Sequence, residues 1–264
     1  MNDPLVSVIL TTKNNESIIE RCLSSVQQQR YRKVELIVVD NSSTDRTAEI
    51  ARRYTKKVYS KGPERSAQRN CGAQHAEGTF LFFIDSDMEL TKDTVKDCVQ
   101  VMQQGCGALL VAEDFIGKGY WSQCKVLEKR CYTGTGEAEA VRFVRKDLFF
   151  QVEGYDEQLT GPEDMDFHKR ISRITTVGRA SGIRHYDEYL PFSSFLKKRY
   201  YYSRSYQRYF AKHPDAKQKE FRFIRPAFLK QWRLLLRDPL HLIGFVILRF
   251  GEGVATLWAL WFSS

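Results

Sequence analysis

The sequence predicts an α/β protein with a mostly parallel sheet flanked by helices, followed by a C-terminal helical segment of different composition. Three observations carry this. From Val6 to Gln103, short runs rich in Val, Ile and Phe alternate with stretches whose apolar residues recur at helical spacing, the pattern of βαβ units. One run, Phe80–Ile84 (FLFFI), is continuously apolar and is preceded by Gly78, as befits an interior strand of a parallel sheet. Charge is also segregated. Between Lys197 and Arg237, 13 Lys and Arg stand against two acids, a net +11 that leaves the rest of this +9 chain at about −2. The basic segment therefore faces something anionic: a membrane surface, a phosphate-bearing substrate or, with less support, nucleic acid.

At 264 residues the chain has length for one or two domains and a substantial core. Its six cysteines (Cys22, Cys71, Cys98, Cys106, Cys124 and Cys131) form no CxxC pair and have no histidines at zinc-finger spacing. MNDP runs straight into the first strand, so the cysteines read as reduced cytosolic thiols.

In chain order, Val6–Leu10 is a first strand, and Thr11 to Glu16 is the loop beyond it. Ile18, Ile19, Cys22, Leu23 and Val26 then mark a helix within Glu16–Gln29. Val34–Val39 is a second strand ending in Asp40-Asn41-Ser42-Ser43-Thr44-Asp45, with a helix from about Arg46. A short strand at Val58-Tyr59 precedes a helix from Glu64 to His75. The strand Phe80–Ile84 delivers Asp85-Ser86-Asp87, and a helix follows near Thr91–Gln103. The second half is less regular: a strand at Ala108–Val111, a helix over Gly117–Arg130, a flexible turn at Thr133–Gly136, and a strand at Val141–Val144. Pro162 opens the helix Glu163–Ser172, and Arg184-His185 ends a short strand or loop.

Open α/β sheets place ligands beyond the carboxyl ends of their strands. Right-handed crossovers carry the loops after the first, second and fourth strands to one edge, so Thr11–Glu16, Asp40–Asp45 and Asp85–Asp87 converge on one cleft. Two carboxylates two residues apart at a strand end suit divided work, one on a divalent cation and one on a sugar hydroxyl or a second metal position. The same triplet also suits a strand-terminating turn of solvated acids. Glu163 and Asp164 likewise suit a helix N-terminus on dipole grounds alone.

Four segments, VSVILTTKNNE, IVVDNSSTDRTAEIA, RSAQRNCGAQHAEGTFLFFIDSDMEL and EGYDEQLTGPEDMDFHKRI, together resemble the family-2 inverting glycosyltransferases of GT-A (Rossmann-like) fold. They follow the family's order and spacing over about residues 6–171. The resemblance implies a hexosyltransferase that consumes a nucleotide-sugar of UDP, GDP or dTDP type. It puts Thr11, Thr12 and Glu16 at the base and ribose, Asp40 and Asn41 at the base, and Arg69 with Arg65 near the diphosphate. It puts Asp85 on the ribose side and Asp87 on a Mg²⁺ or Mn²⁺ ion, with His185 as a further metal contact. Asp164 matches the catalytic base; Glu163 and Arg170 fall on the acceptor side. A bound cation would stabilise the departing diphosphate, and a carboxylate would take the proton of a poorly nucleophilic hydroxyl. On that division, loss of Asp87 impairs donor handling, whereas Asp164→Asn spares donor binding and abolishes transfer.

The sequence departs from the family in places. Thr11-Thr12-Lys13 stands where many members have Pro-Thr-Tyr, Asn41 replaces an acid, and Met88 follows Asp87, which leaves the donor base open. No QxxRW signature of processive synthases is present, which argues for single-sugar transfer. Two other classes share the same acids: a sugar-nucleotidyltransferase, which would leave Glu163-Asp164 without a task, and a non-catalytic nucleotide-sugar-binding scaffold.

The expected divisions are a catalytic domain over 1–190 (donor side about 1–112, acceptor side about 113–190), a basic aromatic segment over 191–238, and apolar helices over 239–264. The basic segment interleaves its cations with Tyr200, Tyr201, Tyr202, Tyr206, Tyr209, Phe210, Phe221, Phe223, Phe228 and Trp232, a composition suited to an anionic membrane interface. Pro239–Phe262 has the length of a membrane span but carries Arg249 and Glu252 at its middle, where charge is costly. Gly251 and Gly253 divide it into Leu240–Phe250 and Val254–Phe262, giving a membrane-associated hairpin, interfacial helices or a homo-oligomer contact. Together these features lead to a peripheral or monotopic protein on the cytosolic face of a membrane, with a lipid-linked or glycan acceptor.

Overall fold

The structure is a computed structural model of the chain and describes residues 3–135, 139–187, 190–216 and 224–262. Gly136 of the expected turn, and Glu220, Phe221 and Phe223 of the basic segment, lie outside the described residues.

Eight strands form one sheet: β1 Val6–Thr12, β2 Val34–Asp40, β3 Val58–Ser60, β4 Phe80–Asp85, β5 Met88–Leu90, β6 Ala108–Gly117, β7 Val141–Arg145 and β8 Val177–Asp187, in the order β3-β2-β1-β4-β7-β6-β8-β5. The four leftmost strands run parallel. Beyond β4 the direction changes: β7 is antiparallel to both β4 and β6, and β5 is antiparallel to β8. The helices are α1 Ile19–Gln27, α2 Thr47–Arg52, α3 Arg65–His75, α4 Thr94–Met102, α5 Tyr120–Tyr132, α6 Lys146–Gln151, α7 Glu163–Ile171, α8 Phe192–Ser203, α9 Tyr206–Lys212, α10 Pro226–Lys230, α11 Trp232–Leu236 and α12 Pro239–Phe262.

The chain divides into two compact units. The first comprises Met1–Asp114, Ala140–Glu157 and Glu163–His185. Strand alternation gives it two cores. Val8, Leu10, Phe82 and Ile84 pack with Ile19, Leu23 and Val26 of α1 and with Val95 and Val99 of α4. On the other face, Ile9, Ile37, Val39, Leu81 and Phe83 pack with Ala73, Phe149, Tyr155 and Phe167. Burying each such aliphatic or aromatic side chain contributes about 1.5–3 kcal/mol. Gly72 lets α3 lie against β1, since a Cβ there would stand 2.4 Å from Cγ2 of Ile9.

The second unit comprises Phe115–Glu139, Gln158–Pro162 and Tyr186–Ser264. Cys124, Cys131 and Tyr132 of α5, Phe195 of α8, Phe228 of α10 and Phe245 and Leu248 of α12 make its core. Here the sequence misled: Pro239–Phe262 is one continuous helix, not two helices broken at its glycines. Gly251 is a contact surface, because a Cβ there would meet Leu196 at 2.9 Å and Phe192 at 3.1 Å. Close packing on α8 offsets the roughly 1 kcal/mol that a mid-helix glycine costs.

Other boundaries moved for similar tertiary reasons. Met88–Leu90 pairs as β5, so α4 begins at Thr94. The residues that end in Arg184-His185 belong to an eleven-residue strand, and α6 had no counterpart in the expected elements.

Candidate active site

The parallel register sets Thr11 of β1 opposite Asp85 of β4, and the Thr11 hydroxyl donates to Asp85 Oδ1 at 2.9 Å. Asn15, just past β1, donates from Nδ2 to Ser86 Oγ at 2.8 Å. The loop after β2 joins the same edge. The Thr44 N–H donates to Asn14 Oδ1 at 2.8 Å, the Asn15 N–H to Thr47 Oγ1 at 2.7 Å, and the Arg46 N–H to Glu16 Oε2 at 3.0 Å. The three loops that topology sends to one edge do meet there.

Arg69 comes from α3 and is 1% exposed. It donates from Nη1 to Asp164 Oδ1 at 2.8 Å, its Nη2 stands 3.3 Å from Asp85 Oδ1, and its guanidinium carbon lies 5.0 Å from the Tyr155 ring centroid. One buried cation thus joins the carboxyl end of β4 to the first turn of α7, with Arg69 and Asp164 95 residues apart in sequence. Burial alone would weaken the Arg69 charge, but Asp164 and Asp85 outweigh it and hold the guanidinium protonated. Burial also opposes ionisation of Asp85. Arg69 and Arg142 overcome it, keeping that carboxyl well below the usual carboxylate range.

A second set of residues continues from Asp85. Arg142, from β7, reaches Asp85 Oδ2 at 3.4 Å from Nη1 and Glu113 Oε1 at 2.5 Å from Nε. Glu113 Oε2 lies 2.7 Å from Nδ1 of His185, and Nε2 of His185 lies 3.3 Å from Asp87 Oδ2. His185 gets there because antiparallel pairing sets it opposite Met88, the residue after Asp87. Burial would raise the Glu113 carboxyl; Arg142 and His185 instead hold it at about 2. Acidic and basic side chains alternate through Asp164, Arg69, Asp85, Arg142, Glu113, His185 and Asp87.

Glu113 and Arg142 were not anticipated from sequence. The one available signal was a lone charge inside the expected apolar strand, Arg142 in VRFV, since a buried Arg almost always has a carboxylate partner.

The remaining expected residues are placed as follows. Glu163 is buried and its Oε1 lies 3.1 Å from Nη2 of Arg65. Burial raises its carboxyl above the ordinary range despite Arg65, with help from neighbouring Asp164. Asp40 is buried and closes its own loop, accepting from the Ser43 N–H at 2.8 Å and from the Ser43 hydroxyl. Asn41 donates to the Pro63 carbonyl, and Glu16 braces the start of α2. Thr12 Oγ1 is buried with no hydrogen-bond partner among the described residues. Arg170 stands apart from the alternating chain, paired with Asp166 of its own helix at 2.8 Å and donating to the Val152 carbonyl.

The residues around Asp87 fit a divalent cation. Asp87 Oδ1 is buried without a hydrogen-bond partner among the described residues. Oδ2 and the His185 nitrogen are 3.3 Å apart, close to the separation of about 3 Å between neighbouring ligands held about 2.1 Å from one ion. Among the described residues no three His, Cys, Asp or Glu side chains form a ready metal cage. A site with one or two protein ligands, completed by water and phosphate, is how Mg²⁺ is commonly held.

Known proteins share both sequence and fold with this chain. Residues 7–139, half of it, match the family model described as glycosyl transferase family 2. The uncharacterized glycosyltransferase EpsJ of Bacillus subtilis is 29% identical over 149 residues, 54% of this chain and 41% of that protein. The GalNAc(5)-diNAcBac-PP-undecaprenol beta-1,3-glucosyltransferase of Campylobacter jejuni is 24% identical over 180 residues, 61% of this chain and 57% of that one. The chain thus spans about half the length of these curated relatives. Two solved structures share the fold. The mannosyltransferase PcManGT of Pyrobaculum calidifontis, in complex with GDP-Man and Mn²⁺, matches with TM-score 0.63 and 18% identity over 98% of this chain and 88% of that one. TarS 1-349 of Staphylococcus aureus, in complex with UDP-GlcNAc, matches with TM-score 0.56 and 19% identity over 97% and 90%. The GT-A-like sheet, its edge of gathered acids and the matched family model agree, and the chain belongs to glycosyl transferase family 2.

Proposed function

We propose that this protein is an inverting glycosyltransferase that moves one sugar from a nucleotide-diphosphate sugar to an acceptor hydroxyl or phosphate, with Asp164 as the base. The observation that carries this reading is the buried guanidinium of Arg69, which fixes Asp164 beside the Asp85–Asp87 turn. A base must stand within hydrogen-bonding reach of the proton it takes. Asp164 is held by one oxygen, Oδ1, at 2.8 Å, which leaves the other to face an acceptor, and its side chain is a quarter exposed. Attack opposite the diphosphate needs only that one base and inverts the anomeric centre. Glu163, beside it and buried against Arg65, would line the acceptor side.

On the donor side, Thr11 and Asp85 would meet the ribose, with Thr12, Asp40, Asn41 and Glu16 around the base and Arg65 and Arg69 near the diphosphate. Asp87 and His185 would hold Mg²⁺ or Mn²⁺. When bound, the cation would neutralise charge developing on the departing diphosphate. The named complexes of the two structural neighbours, with GDP-Man and Mn²⁺ and with UDP-GlcNAc, support a nucleotide-sugar donor of this kind. The test is an Asp164→Asn variant assayed for donor binding and for transfer.

The acceptor in this reading is lipid-linked and the protein lies on the cytosolic face of a membrane. Support comes from α12. Its two charged residues point into the second unit: Glu252 pairs with Lys125 at 2.7 Å, and Arg249 with Glu128 at 3.2 Å. Its exposed positions include Ile243, Ile247, Phe250, Val254, Leu257, Trp258 and Trp261. A helix with charge inside and apolar side chains outside presents to solvent what water disfavours. Lys230, Arg233 and Arg237 are exposed just before it in sequence and complement anionic headgroups. The helix would lie in the interface: a span by α12 would carry Arg249 and Glu252 into hydrocarbon and strip them from Lys125 and Glu128. A lipid-linked substrate also appears in the name of the Campylobacter relative.

A further inference from the structure

We propose that Glu113 is a positioning residue that fixes the ring of His185 so that its Nε2 and Asp87 together receive one divalent cation. The proposal rests on the metal-assisted reading given above. An imidazole has two nitrogens, and the partner of one decides what the other offers. Glu113 stands 2.7 Å from Nδ1. With Nδ1 held by that carboxylate, Nε2 is the ring nitrogen left to meet a cation. That nitrogen points at Asp87 Oδ2, 3.3 Å away, beside the partnerless Oδ1 of the same carboxylate. Carboxylate, histidine and cation in line is the arrangement by which proteins orient a metal-binding imidazole and strengthen it as a ligand.

Glu113 is itself held from its other side. Its Oε1 accepts from Nε of Arg142 at 2.5 Å, and Nη1 of Arg142 reaches Asp85 Oδ2 at 3.4 Å. The carboxylate therefore has its position set by β7, while His185 arrives on β8. Two antiparallel neighbours, β7 on β4 and β8 on β5, thus bring an acid–base–acid set to a turn that the parallel half of the sheet alone could not complete. Arg142 also links this set to Asp85, so the ribose-side carboxylate and the cation-side imidazole share one supporting guanidinium.

The experiment measures Mn²⁺ binding to the purified full chain by loss of the free-ion electron paramagnetic resonance signal, with UDP or GDP present. The set comprises wild type, Glu113→Gln, His185→Ala and the double variant. Glu113→Gln is expected to weaken Mn²⁺ binding about 10–100-fold, the usual loss when such a supporting carboxylate is removed. Adding it to His185→Ala is expected to cause no further loss, because Glu113 acts through that ring. Unchanged affinity in Glu113→Gln, or full additivity in the double variant, overturns the proposal alone. A wild-type chain that binds no Mn²⁺ with any nucleotide overturns the proposal and the metal reading together. A second measurement needs no substitution: nitrogen-15 NMR of the wild-type His185 ring. With Mg²⁺ bound it is expected to show a proton on Nδ1 and none on Nε2. The opposite tautomer in the Mg²⁺-bound state refutes the assignment.

Discussion

Arg69→Met removes the guanidinium that joins Asp85 to Asp164 while keeping most of the side-chain volume. Arg69 is 1% exposed and meets both acids, so two carboxylates lose their partner at once. Breaking a buried ion pair by deleting one member costs about 3–5 kcal/mol, because a charge is left buried and unpaired. The structure argues for the lower end. Asp85 keeps Arg142 and the Thr11 hydroxyl, and Asp164 is exposed enough to hydrate. A loss of about 3 kcal/mol in a protein of this size corresponds to a fall in Tm of roughly 6–12 °C. Thermal unfolding followed by circular dichroism measures it directly, and the Asp164→Asn protein is the comparison. That variant leaves Arg69 its contact with Asp85 and is expected to lose only about 1 kcal/mol, the worth of one hydrogen bond. A Tm for Arg69→Met within 2 °C of wild type, or an Asp164→Asn protein that melts as early as Arg69→Met, would refute the reasoning.

Three further outcomes follow from other parts of the molecule. Burial raises the Glu128 carboxyl, but Lys125 and Arg249 outweigh it and depress it from 4.5 to about 2. A folded-state value below the unfolded one means that the unfolded chain takes up the proton first. This contribution is therefore complete above about pH 4.5 and lost as pH falls toward 2, and acid unfolding curves of Glu128→Gln should be flatter than wild type over that window. Sedimentation with vesicles containing anionic phospholipid should bring down the wild-type chain. Phe250→Lys combined with Trp258→Lys should release it, since both side chains are exposed and a cation in the apolar layer is costly; equal sedimentation of the two proteins would count against the interfacial helix. Thermal stabilisation against UDP, GDP and dTDP with Mn²⁺ should single out one nucleotide, by about 3 kcal/mol at a hundredfold excess over Kd, and Asp87→Asn should abolish the metal-dependent part of that shift.

Much of the parallel half was legible because its strands are buried on both faces. Phe80–Ile84 reads as an unbroken apolar run, and Val6–Leu10 and Val34–Val39 as apolar runs interrupted only by Ser7 and Glu35; chain order then fixes which loops share an edge. The antiparallel half hid for the converse reason. Strand β8, VGRASGIRHYD, is exposed or half-exposed at most positions, so its sequence carries little apolar signal. The site followed the same division. Asp85, Asp87 and Asp164 stand at element ends where carboxylates announce themselves, whereas Glu113 contacts Arg142 across 29 residues and His185 across 72. Pairings of that kind have no local pattern. Gly251 shows a second limit, since a residue that usually interrupts helices serves here as a flat surface for α8.

The most direct test of the central claim separates donor binding from transfer in Asp164→Asn. The base reading expects the variant to bind the selected nucleotide-sugar with Mn²⁺ as tightly as wild type, while turnover onto acceptor falls about 10²–10⁴-fold. Turnover within a few-fold of wild type, with donor binding intact, would contradict Asp164 as the base.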